Sequence, residues 1–140
     1  MSGKHYTVVV CLCDRGGITF NKRRQSRDRL LIEDLCKTAE GKIYIEEYSL
    51  PLFSGHEDCV EVIDSLPTDV PSGGIIFAEK VSPDSFLSDI SRLIIYRWGK
   101  KYPFDLSFTT QPESVGFSKV LEYEFVGHAH EKITKGVFER

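Results

Sequence analysis

The chain has 140 residues, a formal net charge of −3, and apolar and charged fractions of 41% and 28% that fit an ordinary globular protein. That length suits one domain with a core large enough to fold without disulfides or a structural metal, and the acidic balance excludes a surface built throughout to coat nucleic acid. Met1 to Tyr6 is polar and the apolar run Thr7 to Cys13 is too short for a secretory core or a bilayer span, so a soluble, cytoplasmic protein with no membrane partner is expected.

Tyr6 to Cys13 (YTVVVCLC) is β-branched and apolar, which predicts a buried, central strand. Cys11 and Cys13 would point to one face of it, as a metal pair or, preferably, as core packing. Three of the four cysteines, Cys11, Cys13, Cys36 and Cys59, lie in or beside apolar patterns, which suits reduced thiols. Asp14-Arg15-Gly16-Gly17 reads as a turn and Ile18 to Arg24 as a loop. Ser26 is predicted to cap a helix with Asp28 in its first turn, where the dipole favours a carboxylate. Leu31, Ile32, Leu35, Cys36 and Ala39 form its apolar stripe, and Gly41 ends it. Lys42 to Glu47 predicts a strand, Val60 to Leu66 a short helix, and Gly74 to Ala78 a buried strand. Ser82-Pro83 opens a short helix to about Ile90, and Leu93 to Trp98 is a further strand. Lys119 to Phe125 and Ile133 to Phe138 would close the chain as an antiparallel pair. Strands alternating with helices predict an α/β domain over 1–140. Its largely parallel sheet of about six strands carries helices on both faces, and the terminal hairpin makes the sheet mixed.

This order resembles the dihydrofolate reductase family. Thr7 to Phe20 (TVVVCLCDRGGITF) is similar to the family's first strand and the glycine-bearing loop beside the substrate. Ser26-Arg27-Asp28 falls where the family places its buried carboxylate. Arg92 to Phe108 (RLIIYRWGKKYPFDLSF) resembles a late strand and the acidic loop after it, with Asp105 on the family's Asp, and Lys119 to Arg140 resembles the closing hairpin. The resemblance implies a three-layer α/β/α, dihydrofolate reductase-like fold. It also implies a substrate cleft in which Asp28 bonds a heterocycle and assists protonation. The family's cofactor features do not follow. Glu46-Glu47-Tyr48-Ser49 stands where the family binds the cofactor phosphate, and two carboxylates repel a phosphate. Ala78-Glu79-Lys80 replaces a glycine pair that admits the pyrophosphate. Between Phe53 and Gly73 the chain is too short for two further edge strands. Ordinary NADPH binding is therefore not expected, and no other cofactor is assigned.

Five of the nine residues Asn21 to Arg29 (NKRRQSRDR) are cationic. Such a run marks a solvated surface or an anion site, and cations are out of place at a helix N-terminus. On the second reading, Arg23, Arg24 and Arg27 hold an anionic group. Asn21 and Gln25 meet a heterocycle edge, the Gly16-Gly17 loop covers the cleft, and Asp28 is the catalytic acid or anchor. The alternative for Asp28 is a helix-dipole carboxylate paired to an arginine. Arg97-Trp98-Gly99-Lys100-Lys101-Tyr102 either stacks on single-stranded nucleic acid or is a cationic turn with Trp98 packed inward; Arg97 is counted with the ligand-binding residues. His128 and His130 could share a face for a metal, but no third ligand follows at a convincing spacing, so no metal site is predicted. The H-x-H-x-D-H motif of ribonuclease Z-type metallo-hydrolases is not met, because His128-Ala129-His130 runs on into Glu131-Lys132. No serine, Ser26 included, has a sequence context that activates it.

The expectation is a protein that binds a small anionic or heteroaromatic ligand, of nucleotide or pterin type, in the substrate cleft, without ordinary NADPH-dependent reductase activity. The alternatives are an NADPH-dependent reductase of dihydrofolate or a related heterocycle, and an RNA-binding or RNA-processing protein. Nucleic acid and a second copy of the chain, as a homodimer, are the other partners considered.

Overall fold

The computed structural model describes residues 5–140. The most apolar run of the sequence lies at the centre of the sheet. Strand β1 (Tyr6–Leu12) runs parallel to two neighbours, β6 (Ile75–Ala78) and β7 (Ile90–Arg97). Beyond β6 come β4 (Ile43–Ile45) and the edge strand β5 (Val60–Val62), both parallel. Beyond β7 the chain reverses: β10 (Ile133–Glu139) is antiparallel to β7, and β9 (Ser118–Phe125) is antiparallel to β10. The seven-stranded order is β5-β4-β6-β1-β7-β10-β9. A second sheet of three short strands, β3-β2-β8, is built from β2 (Gly17–Phe20), β3 (Arg23–Arg24) and β8 (Leu106–Ser107).

The strand period sorts β1 between two cores. Val8, Val10 and Leu12 enter a core with Ile76, Leu93, Phe108 and Phe117. Val9 and Cys13 face the other way, against Leu31, Ile32 and Leu35 of α1 (Arg29–Thr38), the one α-helix among the described residues. Burying each of these three helix side chains contributes about 1.5–3 kcal/mol, which is what holds a ten-residue helix that would be marginal alone. Cys11 packs against the same core, as the sequence pattern preferred.

Several expectations change. The mixed α/β sheet with a closing hairpin is present, but with seven strands rather than about six. Ile18 to Arg24 is a hairpin, not a loop: Asn21 and Lys22 have φ of 51° and 63°, which suits a two-residue turn between right-twisted strands. Val60 to Leu66 does not form a helix. Val60 and Val62 add to the free edge of β4 instead, so one of the two edge strands thought missing is there. The other expected helix, Pro83–Asp89, is 3-10 and is broken at Phe86, whose φ of −142° is not helical. The second face is therefore covered by 3-10 turns and loops rather than by α-helices. Asp28 is itself the N-cap of α1, accepting from Leu30 N at 3.0 Å, and the helix stops at Thr38, before Gly41. No described helix is long and apolar enough to cross a membrane.

Candidate functional site

Cys13, Glu79 and Trp98 directly follow or lie just past the C-terminal ends of β1, β6 and β7. In open parallel sheets that rim is where ligands bind. Residues 24–28 cross over it between β3 and α1, and a narrow cleft forms between them and the walls made by Ile32, Leu52, Phe77 and Trp98. The room left inside is about 20 Å³, enough for about one water.

Asp28 is buried, with no accessible side-chain area. Its Oδ1 accepts from Leu30 N at 3.0 Å and His128 N at 2.8 Å; its Oδ2 accepts from Ala129 N at 2.8 Å and lies 2.8 Å from His130 Nδ1. Burial alone would push this carboxyl up. The His130 hydrogen bond and the amides of His128, Ala129 and Leu30 outweigh it and hold the pKa down to about 2. Neither alternative read from the sequence describes the partner: the carboxylate is met by the turn between β9 and β10 rather than by an arginine. The turn can approach because Gly127 has no side chain; a Cβ there would lie 2.5 Å from Asp28 Oδ2.

An ionised carboxylate only accepts, so His130 Nδ1 must carry the proton and donate it. The other ring nitrogen, Nε2, lies 2.8 Å from Ser26 Oγ. Trp98 stacks on the imidazole with ring centroids 4.7 Å apart and planes at 27°. Ser26, His130 and Asp28 thus form a hydrogen-bonded chain that ends at a cleft-lining hydroxyl. Sequence reasoning missed it. Ser26 lies 104 residues from His130, and the one local hint was Gly127 ahead of two histidines. His130 is buried while His128 is exposed, so the pair does not share a face. Among the described residues no group of three His, Cys, Asp or Glu side chains is placed to hold a metal.

The opposite wall is an ion-pair plug. Arg24 meets Glu79 bidentately, Nε to Oε2 at 2.8 Å and Nη2 to Oε1 at 3.0 Å. Ser49 Oγ donates to the same Oε1 at 2.6 Å, and the guanidinium lies over the Tyr48 ring at 4.3 Å. Glu79 thus fills the end of β6 with a buried, fully engaged carboxylate.

The other sequence candidates divide among three places. Arg27 lines both the cleft and a wider outer cavity of about 320 Å³, which Arg29, Leu52 and His128 also line. Arg27 and Arg29 are exposed and take part in no ion pair among the described residues. Asn21 and Arg23 lie on the far side of the β2–β3 hairpin, with Arg24 and Gln25 between them and the cleft. Gln25 Nε2 donates to Pro103 O at 3.2 Å, while its Oε1 is buried without a partner among the described residues. Gly17 starts β2 and packs on Phe104, and Gly16 and Arg97 line a separate cavity beyond it with Arg15 and Thr109. The Gly16-Gly17 turn therefore does not cover the cleft. Trp98 is 5% exposed, so it is no platform for a base.

No family model matches the sequence, and no curated protein matches it. Among solved structures, the chain is similar to a dihydrofolate reductase from Enterococcus faecalis complexed with NADP(H) and RAB-propyl. The TM-score is 0.62 over 96% of this chain and 95% of that one, at 11% sequence identity. At that identity the likeness shows the fold alone: a dihydrofolate reductase-like α/β fold.

Proposed function

We propose that this protein binds a small anionic, heteroaromatic ligand of nucleotide or pterin type in the cleft at the start of α1, and does not carry out ordinary NADPH-dependent reduction. One observation carries the reading: Arg27 and Arg29, outside the ion pairs of the described residues, flank a cavity of about 320 Å³ that shares Arg27, Ile32 and Leu52 with the apolar cleft. Two guanidiniums beside a helix N-terminus attract an anion and can hold it bidentately. Leu52 and Ile32 offer the adjoining ring an apolar wall, and the unpartnered Gln25 Oε1 suits a ring N–H donor. Asp28 acts by positioning the turn and His130 rather than by touching the ligand, because its acceptor sites are filled. Against NADPH stands Glu79, whose carboxylate occupies the end of β6 and would face a pyrophosphate there.

The test is a thermal-shift and calorimetric screen against nucleotides, folates and inorganic phosphate. A ligand at 100 times its Kd should stabilise the fold by about 2.7 kcal/mol, and the Arg27→Ala/Arg29→Ala double variant should lose that shift. No shift with any of these, or a shift the double variant keeps, removes the reading. Dihydrofolate-dependent NADPH oxidation above background, with cofactor binding by calorimetry, would replace it with the reductase. RNA binding that weakens steeply with salt would point to nucleic acid instead.

A further inference from the structure

We propose that Ser26, His130 and Asp28 act as a proton relay that makes Ser26 Oγ a nucleophile toward small acyl esters, giving the protein an esterase activity. The geometry is that of a nucleophile, a base and a group that orients the base: Ser26 Oγ to His130 Nε2 at 2.8 Å, and His130 Nδ1 to Asp28 Oδ2 at 2.8 Å. With Nδ1 set against the Asp28 carboxylate, Nε2 is the ring nitrogen that faces the Ser26 hydroxyl. Its plane is fixed by Trp98 behind it, and the orienting carboxylate is held in turn by three backbone amides. Ser26 lines the cleft rather than being sealed in the core. Arg27 lines the same cavity and supplies positive charge for an oxyanion. A hydroxyl used only as a structural link would not need a buried, doubly bonded imidazole aimed at it from a loop 104 residues away.

The step balances. Ser26 Oγ forms a bond to the ester carbonyl carbon as its proton passes to His130 Nε2. The tetrahedral adduct collapses with cleavage of the carbon–oxygen bond to the alcohol, which takes the proton from Nε2. Water then attacks the acyl-serine, gives its proton to Nε2, and releases the acid as Ser26 Oγ recovers its hydrogen. The cleft has room for about one water, so even an acetyl group has to displace a wall side chain such as Leu52, and longer acyl chains are expected to react more slowly.

The site shares the cleft with the ligand reading above but does not rest on it. Covalent labelling and thermal shifts are separate measurements, and either can fail while the other holds. The probe is p-nitrophenyl acetate, followed by p-nitrophenolate release and by peptide mass mapping, with a fluorophosphonate as a second label. Expected are turnover above that of an equal concentration of free imidazole, an acetyl group on the Ser26 peptide, and phosphonylation at the same residue. Ser26→Ala, its fold checked by circular dichroism and melting, should lose about a hundredfold or more in acylation rate. The acylation of wild type should be abolished by a His130→Gln substitution, while the residual rate of Ser26→Ala is insensitive to it. Background turnover by folded wild-type protein, an adduct on another residue, or equal rates in wild type and Ser26→Ala would each overturn the proposal and leave the three residues as a clamp between α1 and the hairpin.

Discussion

Helix α1 carries two carboxylates that the closing hairpin satisfies in different ways. Asp28, at the N-cap, takes three backbone amides and an imidazole, and its network continues to Ser26 in the cleft. Asp34, two turns on, takes Tyr96 Oη at 2.6 Å, Tyr123 Oη at 2.5 Å and Lys135 Nζ at 2.9 Å. None of these residues lines the cleft. Burial would raise the Asp34 carboxyl, but Tyr123, Tyr96 and Lys135 hold it below the ordinary range; burial and the carboxylate together push both phenols up. Lys135 also bonds Thr38 Oγ1 at 2.9 Å, so the cation is fully enclosed. A half-buried carboxylate answered by a buried cation is a closed unit. One answered by amides and an imidazole continues through His130 Nε2 to the Ser26 hydroxyl, which lines the cleft.

The two centres should respond differently to truncation. Asp34→Ala strands the Lys135 ammonium, whose side chain is 3% exposed, and should cost about 4 kcal/mol by chemical denaturation. Asp28→Ala leaves its amide donors on a turn whose His128 and Ala129 are exposed to water, and should cost less, about 3 kcal/mol. If Asp28→Ala is the worse of the two, the distinction between closed and open networks is wrong. Gly127→Ala presses a methyl onto Asp28 Oδ2 and Ile133 and should cost about 2 kcal/mol, while leaving the Tyr96 and Tyr123 environments unchanged by NMR.

Acid should separate the centres as well. The Asp28 carboxyl titrates at about 2 in the fold against an ordinary 3.8, so its contribution is fully present above 3.8 and is lost as pH falls through about 2. The gap corresponds to about 2 kcal/mol. The stability difference between wild type and Asp28→Asn should shrink over that window; a difference that stays constant through it would contradict the assignment. The smallest effects come from single hydroxyls. Tyr123→Phe removes one donor from Asp34 and should cost about 1 kcal/mol. Ser26→Ala should cost about 0.5 kcal/mol in stability, with its larger effect reserved for reactivity.

Much of the scaffold could be read along the chain because its signals are local. A β-branched run such as Val8 to Val10 has few alternatives to a central strand, and the stripe Leu31, Ile32, Leu35 marks the buried face of α1. Val60 to Val62 misled, since a short Val-Glu-Val segment takes the form its neighbour offers, and here the free edge of β4 offers a ladder. In the site, Arg24 was expected to hold a ligand. Glu79, 55 residues on, reaches it first, and nothing near either residue announces the pair.

By itself the sequence determined the parallel core, the position of α1 and the closing hairpin. Each follows from side-chain period or from residue identity at one place. Only the tertiary structure decided which charges are answered and by whom: Asp28 by the 127–130 turn, Arg24 by Glu79, Lys135 by Asp34, with Arg27 and Arg29 left facing a cavity. The physical reason is that hydrogen bonding and ion pairing act over a few ångströms in space. Arg24 and Glu79, Asp28 and His130, and Asp34 and Lys135 lie 55, 102 and 101 positions apart along the chain, where no local pattern couples them.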